Sequence, residues 1–215
     1  FEDAMIRRQY YERYRKELEV PKTFQDYNQT AAFFCRAWNP SSPTEYGTTL
    51  TFGTAGVAAC DYLPRLLEQT GSLFDEKGFL AVNTPQAKAA LENYLEAFQY
   101  TNRSANKWWS QSIESFSQGN TAMTITFSNH ASLLINSKHS NVVGKVGCAM
   151  VPGGHPLTGG GVIGISRASR HPKAAAEFLK WVFSDETAQL LTLLGGFSPS
   201  RSIYANAEIT SLFPW

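Results

Sequence analysis

Four histidines, at positions 130, 139, 155 and 171, are the side chains of this sequence best suited to acid–base or metal chemistry. No two of them are four residues apart, so the sequence lacks the histidine pair of a metal-binding helix. Neither H-E-x-x-H nor G-x-S-x-G occurs. A triad of distant Ser, His and Asp residues stays open, but no motif supports it.

The cysteines do not indicate a cofactor or a disulfide framework. Cys35, Cys60 and Cys148 are odd in number and widely spaced, which fits neither disulfide pairing nor a zinc site. Cys148 lies in the apolar run VGCAMV, so we predict that it is a small buried hydrophobic residue. We expect neither a metal nor another cofactor.

A glycine-rich segment at 159–164 fits the letters of the dinucleotide motif G-x-G-x-x-G. That motif must follow a strand and open a helix, whereas this segment is predicted to open a strand. The phosphate-binding motif G-x-x-x-x-G-K-[ST] does not occur. Nucleotide chemistry is therefore not indicated.

Five loops combine aromatic residues with small polar ones: YGTTLTFGTAG, NKWWSQ, TFSNHA, TGGG and GGFSPSRSIY. A cleft for a neutral polar ligand needs this mixture of flat apolar faces, close backbone approach and hydrogen-bond donors. The alternative is that Phe52, Trp108 and Trp109 are ordinary core residues, the commoner fate of a single aromatic side chain. The number of such loops favours a binding site.

Helical patterns and caps indicate the elements that position these loops. Helices are predicted at 2–18, at 24–37 after the capping-box pattern of Thr23 and Asp26, at 57–69 before the stop Gly71, and at 109–117, 130–137 and 172–183. Two more are predicted after N-caps: one at 85–98 after Thr84, with Ala87, Leu91, Leu95 and Phe98 on its buried face, and one after Ser184. Strands are predicted at 48–52, 122–127, 145–151 and 162–166. Because helices alternate with short strands, the predicted fold class is α/β.

Composition and charge exclude several function classes. Of the 215 residues 43% are apolar and the formal net charge is +1, which is typical of a globular protein and not of a disordered chain. The densest basic run, IRRQYYERYRKELE, is interleaved with glutamates, which argues against nucleic-acid binding. No window has the roughly 18 apolar residues of a membrane span, and no basic-then-apolar leader begins at Phe1.

The order of several motifs resembles a known family. These motifs are PKTFQDY, YGTTLTFG, LFDEKG, FSQGNTAM, VGCAMVPGG, GGGVIGIS, HPKAAAEFLKWVFSDETAQ and GGFSPSR. Together they resemble the extracellular solute-binding proteins of ABC importers, in particular the sugar-binding type that includes maltose-binding protein. The resemblance implies the periplasmic-binding-protein-like II fold, in which two α/β lobes enclose a cleft.

The resemblance also implies how the chain divides. It is similar to the C-terminal half of such a protein, without the first part of lobe one, the signal peptide with its lipobox and the closing helices. Residues 1–156 would form the core of lobe two, 157–194 the crossover and a segment of lobe one, and 195–215 the return toward the cleft and lobe two. The apolar faces of Phe178, Leu179, Val182 and Leu190 would then need another cover, for which self-association with a second copy is one option.

Binding residues are implied by position within the family's motifs. Asn129 or His130 would lie at the cleft, and Arg201 would be a donor near it. Gly159, Gly160 and Gly161 stand where the family often has Gly-Gly-Trp, so the stacking tryptophan is missing there. The backbone of Gly160 and Gly161 would instead approach the ligand, and Trp108 or Trp109 would supply the stacking face. The YGTTLTFG loop would contribute the side chains Tyr46, Phe52 and Thr54.

The implied function is solute binding without catalysis. A sugar or oligosaccharide would bridge both lobes outside the cytoplasm, and the closed form would deliver it to the permease subunits in the membrane. Alternatives are a non-sugar solute such as a polyamine, a carbohydrate-active hydrolase, or an interaction module that binds no small ligand. A hydrolase needs two carboxylates roughly 5 to 9.5 Å apart, and the candidate loops contain only Glu45.

Overall fold

Helices carry most of the secondary structure in the computed structural model, which describes residues 1–104, 107–135, 138–194, 196 and 198–212. The α-helices in that part of the chain are α1 (Ala4–Tyr14), α2 (Phe24–Phe33), α3 (Ala55–Thr70), α4 (Pro85–Ala97), α5 (Trp109–Ser117), α6 (Ser132–Ile135), α7 (Pro172–Val182), α8 (Asp185–Leu193), α9 (Arg201–Tyr204) and α10 (Ala207–Leu212). Short 3₁₀ turns lie at Phe98–Tyr100, Ser128–His130 and Pro152–Gly154. No helix among the described residues has both the length and the apolar content needed to cross a bilayer.

The first two helices begin at side-chain caps and end earlier than predicted. In α1, Asp3 accepts hydrogen bonds from two backbone amides, and the helix ends at Tyr14 because Arg15 adopts the left-handed conformation with φ 56°. The predicted N-cap of α2 is present, since Thr23 Oγ1 accepts from Asp26 N at 3.1 Å. In place of the reciprocal backbone bond of a capping box, the Asp26 carboxylate accepts from the Thr23 hydroxyl at 2.8 Å.

The buried face of α4 differs from the predicted one. Ala87 is buried as expected, but Leu91 and Leu95 are exposed, and the other buried positions are Ala90, Tyr94 and Ala97. The small alanines lie against α3, where Ala87 and Ala90 form a cluster with Leu66. The prediction was wrong because it followed side-chain size, whereas close packing of two helices here uses the face with the smallest side chains.

A parallel pair of strands, β1 (Tyr46–Thr48) and β2 (Thr121–Met123), is the described sheet. Tyr46 pairs with Thr121, and Thr48 with Met123. The strand predicted at 48–52 is displaced, since β1 ends at residue 48, where the prediction began. The strand predicted at 122–127 is too long, since β2 ends well before residue 127. The remaining residues of both predictions form loops that leave the sheet together.

The two other predicted strands, at 145–151 and 162–166, do not form in the described chain. Several of their apolar residues are exposed, including Met150, Val162 and Ile163, and so is Cys148, which was predicted to be buried. A strand is held by hydrogen bonds to a neighbouring strand, and neither segment has one among the residues described. The local sequence pattern was therefore insufficient for a strand.

Helices α7 to α10 pack mainly with one another. Helix α7 buries none of its residues, and Ser184 caps α8 as predicted. The small core of this part consists of Ala188, Ile203 and Ile209. Phe178 and Trp181 lie exposed side by side, with 5.7 Å between ring centroids.

Candidate functional site

The carboxyl ends of β1 and β2 meet at one edge because the strands are parallel. Thr49 and Thr124, which follow the two strands, are joined by a hydrogen bond of 2.6 Å between their hydroxyl oxygens. The amide of Thr49 also donates to the carbonyl of Met123 at 3.2 Å. The loop that carries Phe52 and the segment that leads to Asn129 therefore begin side by side.

Three rings close to this edge form the aromatic group, which we define as Trp108, Trp109 and Phe127. The two tryptophan rings have centroids 4.8 Å apart, and Trp109 meets Phe127 edge to face at 5.4 Å. Trp108 is 46% exposed, whereas Trp109 and Phe127 are partly buried. Trp109 is thus held between two rings, and Trp108 offers a flat apolar surface to solvent.

Gly53 joins the 49–54 loop to the start of α5. Its amide donates to the carbonyl of Lys107 at 2.8 Å, next to Trp108. A Cβ atom at Gly53 would lie 2.2 Å from that oxygen, so the contact requires glycine. Phe52 packs on Phe98, with centroids 4.9 Å apart, beside the core around Leu50. Phe52 therefore has a core role and also borders the site.

The glycine-rich segment reaches the aromatic group through Gly159. A Cβ atom there would lie 2.9 Å from the Phe127 ring, so a larger residue would displace either the ring or the segment. Gly160 and Gly161 are exposed, and a Cβ atom at either would meet nothing within 4 Å. The backbone at these two glycines is therefore open to a ligand.

Asn129 and His130 lie on the 3₁₀ turn that follows Phe127. The amide of His130 donates to the carbonyl of Phe127 at 3.0 Å, which keeps the turn next to the aromatic group. Asn129 is exposed, and partial burial lowers the pKa of His130, which favours the neutral imidazole. A neutral imidazole can donate one hydrogen bond and accept another, as an amide side chain can.

Thr54 is the N-cap of α3, with an extended backbone but no capping hydrogen bond from its side chain. Trp108 occupies the same position for α5 and cannot cap it. Within the described chain, both helices therefore begin at the Gly53–Lys107 contact without side-chain caps. Their first amide groups are donors that lack an intrahelical partner.

Tyr46 lies elsewhere, at the amino end of β1. A surface pocket of about 370 Å³ is found there, lined by Cys35, Arg36, Ala37, Glu45, Tyr46, Gln99 and Thr101. Burial, together with the neighbouring Glu45, raises the pKa of Tyr46. The structure therefore places Tyr46 at the opposite end of β1 from the aromatic group.

Arg201 also lies apart, as the first residue of the short helix α9. It is exposed, and Ile203 anchors its helix in the cluster with Ala188 and Ile209. The hydrogen bonds and ion pairs of the described residues include none made by the Arg201 side chain. The structure therefore brings together Phe52, Thr54, Trp108, Trp109, Asn129, His130 and the segment of Gly160 and Gly161, but not Tyr46 or Arg201.

The side chains around the aromatic group offer apolar ring surface together with amide and imidazole hydrogen-bonding groups. Among the described residues, the carboxylate that contacts the 49–54 loop is that of Asp61, which is buried and accepts hydrogen bonds from Thr51. A pair of carboxylates facing a common space, as glycoside hydrolysis requires, is not found around the aromatic group in the described chain. Nor do the described His, Cys, Asp and Glu side chains form a group of three that could hold a metal ion.

Two residues were not named as contributors in the sequence. Phe127 belongs to the TFSNHA loop and to the strand predicted at 122–127, but that strand ends earlier and the Phe127 ring meets Trp109. Asp61 received no role, although Asp61 and Arg65 are four residues apart in a largely apolar helix. Such a pair on one helix face was the available signal, because charged residues are rarely buried without partners.

Comparison with known proteins gave one family and several solved structures. A family profile described as bacterial extracellular solute-binding protein matches residues 7–212. An ABC transporter solute-binding protein from Agrobacterium radiobacter K84, in complex with ribitol, is 25% identical with a TM-score of 0.74, over 96% of this chain and 53% of that one. Maltose-bound MalE3 from T. maritima is 23% identical with a TM-score of 0.78, over 97% and 55% respectively.

A third similar structure is an ABC transporter solute-binding protein from Agrobacterium vitis S4 with bound D-mannitol, which is 20% identical with a TM-score of 0.70, over 95% and 51% respectively. The chain therefore spans about half the length of these structures. Their similarity confirms the predicted fold.

Proposed function

We propose a function from one premise: the chain belongs to the family of bacterial extracellular solute-binding proteins. The family's extracellular location agrees with the extracytoplasmic location predicted from the sequence. We propose that the protein containing this chain binds a sugar or a polyol and that the aromatic group forms part of the binding surface.

The half-exposed ring of Trp108 is the observation that carries this proposal. A large aromatic side chain supported from behind by a second ring is a rigid surface for the C–H face of a sugar or polyol. Groups that suit hydroxyls are joined to the aromatic group through Phe127: the Asn129 amide and the neutral His130 imidazole follow it in the chain, and the exposed backbone at Gly160 follows Gly159, which lies against the Phe127 ring. A neutral polyhydroxylated solute matches both kinds of group, and the structure with ribitol supports this class.

The proposed mechanism is conformational and not catalytic. The solute would contact both lobes, stabilise the closed state by the contacts that only this state provides, and so mark the loaded protein for the permease subunits of an ABC importer. The buried Asp61 cannot serve as an acid or base for such a solute, because its carboxylate faces Thr51.

We assign residues 1–156 to one lobe and 157–194 to the crossover and the other lobe. In support, the turn Pro152–Gly154 is tied to the lobe of residues 1–156 by the hydrogen bond from Gly153 N to Lys22 O at 2.8 Å. Beyond it, Ala188 packs with Ile203 and Ile209 in a cluster of its own. The return of 195–215 toward the cleft stays a prediction, as does the role of Arg201.

The test is a titration of the full-length protein that contains this chain with ribitol, D-mannitol, maltose and spermidine, followed by calorimetry and thermal shift. We expect at least one of the first three to bind and to raise the melting temperature with concentration. Trp108→Ala should weaken this binding about tenfold, which corresponds to about 1.4 kcal/mol. Trp38→Ala is the matched control, since Trp38 is 48% exposed and lies in a different aromatic contact.

Several results would contradict the proposal. Binding of spermidine alone would favour the polyamine alternative, and conversion of a sugar into a product would favour the hydrolase. If a sugar binds with equal affinity to the wild type and to Trp108→Ala, the aromatic group is not its site. If none of the four compounds binds, the proposed solute class is wrong.

A further inference from the structure

A buried charged pair, Asp61 and Arg65, lies in α3 beneath the 49–54 loop. The two residues are 6% and 1% exposed. They are one helical turn apart and touch neither the aromatic group nor the 3₁₀ turn of Asn129 in any hydrogen bond of the described chain. Their position therefore calls for an explanation beyond direct contact with a solute.

The Asp61 carboxylate holds the loop at a single residue. One of its oxygens, Oδ2, accepts from the backbone amide of Thr51 at 2.5 Å and from the Thr51 hydroxyl at 2.7 Å. Thr51 is itself buried and directly precedes Phe52 and Gly53. The carboxylate thus fixes both the backbone and the side chain of the residue from which the loop turns toward the site.

Arg65 secures the helix that presents this carboxylate. Its guanidinium donates to the carbonyl of Asp61 at 2.5 Å and to the amide oxygen of Asn93 in α4 at 3.2 Å. It also lies over the ring of Phe24 in α2, 4.3 Å from the centroid. Asn93 in turn donates to the carbonyl of Phe24 at 3.2 Å, so α2, α3 and α4 are locked around one cation.

A continuous chain of contacts leads from this pair to the exposed tryptophan. Asp61 holds Thr51, the loop then reaches Gly53, and the amide of Gly53 donates to the carbonyl of Lys107. Lys107 directly precedes Trp108, whose ring rests on Trp109. A shift of the Asp61 carboxylate would therefore be transmitted to the start of α5 through two hydrogen bonds, one to Thr51 and one from Gly53 to Lys107.

We propose that Asp61, supported by Arg65, is a positioning residue for solute binding that sets the place of the 49–54 loop and, through Gly53, of Trp108. This inference rests on the proposed function. It assigns to the pair a role in the geometry of the site, at a distance from the solute.

A contribution to folding stability does not by itself explain why Asp61 and Arg65 are buried. Burying a carboxylate and a guanidinium has a large desolvation cost, and apolar residues of similar volume often stabilise a core equally well or better. Burial indeed raises the pKa of Asp61, against the effect of the two Thr51 hydrogen bonds and of Arg65. Apolar residues could not hold the amide and hydroxyl of Thr51 in a fixed direction.

The test compares Thr51→Val, which removes the hydroxyl, with Thr51→Ser, which retains it, in the full-length protein. Asp61→Asn is the second variant, since it keeps the shape and removes the charge. Thr30→Val is the matched control: Thr30 is equally buried, and its hydroxyl lies 3.4 Å from that of Tyr10, within the packing of α1 and α2. The probes are ribitol, D-mannitol and maltose, and the readouts are affinity, melting temperature and amide hydrogen exchange at Gly53.

We expect Thr51→Val and Asp61→Asn to weaken binding of the solute about fivefold or more and to speed exchange at Gly53 by a similar factor. Thr51→Ser should restore both, and Thr30→Val should change the melting temperature alone. The inference is overturned if Thr51→Val lowers only the melting temperature, as Thr30→Val does. If the wild type binds none of the probes, the proposed function fails. Amide exchange at Gly53 in Thr51→Val and Asp61→Asn then tests the positioning of the loop separately: faster exchange than in the wild type supports it, and unchanged exchange overturns it.

Discussion

Two regions of this chain, residues 1–154 and 157–212, form helices equally well and bury them very differently. In the first region, several clusters enclose side chains such as Phe24, Phe33 and Leu66 almost completely. In the second, Ala188, Ile203 and Ile209 form one small cluster, and α7 buries nothing. Local signals are thus sufficient for helices, whereas burial depends on what lies opposite each face.

The exposed apolar side chains of the second region support this conclusion. Phe178, Trp181 and Leu190 are all exposed, although α7 has a clear apolar stripe. A stripe of this kind normally faces a core or a partner. The sequence therefore specifies where a cover belongs, and in the second region of the described chain that cover is not present.

The strongest test of this contrast is the loss of one phenylalanine ring in each region of the 215-residue chain. Phe33 is 2% exposed and Phe178 is 55% exposed. Phe33→Ala should lower the free energy of unfolding by about 3–5 kcal/mol, because it leaves a cavity among Tyr10, Tyr14 and Phe34. Phe178→Ala should change it by no more than about 0.5 kcal/mol. Denaturant unfolding measures both.

An equal cost at both positions would contradict the contrast. Such a result would mean that Phe178 is covered in solution by another copy of the chain. In that event the midpoint of unfolding would depend on protein concentration, which a dilution series detects.

A second, smaller effect should appear in alkaline solution and should come from the first region. Burial raises the pKa of Tyr27 to about 12, although its hydrogen bond with Thr48 acts in the opposite direction. The folded state therefore holds its proton more tightly than the unfolded state, whose tyrosine pKa is about 10. This stabilisation is complete below pH 10 and is lost as the pH rises from about 10 to about 12.

The measurement is the free energy of unfolding of the wild type and of Tyr27→Phe across that range. Because a pKa difference of one corresponds to about 1.4 kcal/mol, we expect the wild type to lose on the order of 3 kcal/mol more than the variant. The missing hydrogen bond to Thr48 shifts the variant by a constant amount and does not change the slope. Parallel curves would show that Tyr27 is accessible to solvent.

The predictions from sequence succeeded where the cause was local. The N-caps Thr23, Thr84 and Ser184 and the C-terminal stop Gly71 all lie where their helices begin or end. Each signal depends on a few neighbouring residues and their backbone. Predicted helix ends without such a signal differ from the observed ends by several residues, as for α1, which ends early because Arg15 takes the left-handed conformation.

Predictions failed where the cause lay far along the chain. The strand predicted at 162–166 had the right residues but, in the part of the chain that the structure describes, no neighbouring strand. Leu91 and Leu95 lay on the wrong face because the alanines of α4 pack against α3. At the candidate site, composition indicated the aromatic and polar loops, and their role in binding stays a prediction. The link from Asp61 to Thr51 was not indicated, because only the fold brings the loop onto that helix.

The smallest expected difference concerns the caps, for which the two regions should behave alike. Thr23 Oγ1 accepts from Asp26 N at 3.1 Å and donates to the Asp26 carboxylate at 2.8 Å. Ser184 Oγ accepts from Thr187 N at the longer distance of 3.4 Å and donates to Thr187 Oγ1, a neutral acceptor, at 3.1 Å. Thr23→Ala should cost about 1–2 kcal/mol and Ser184→Ala about 0.5–1 kcal/mol. Both losses should show in denaturant unfolding, because capping does not require a covered face.

Conservative variants serve as controls, since Thr23→Ser and Ser184→Asp retain an oxygen acceptor and should recover most of each loss. If Ser184→Ala has no effect while Thr23→Ala does, then α8 does not form stably in this chain, and the second region needs its cover even for its helices. If both caps contribute as expected, the regions differ only in burial. Helix formation would then be local in both regions, and the exposed apolar faces of the second would belong to helices that are already formed.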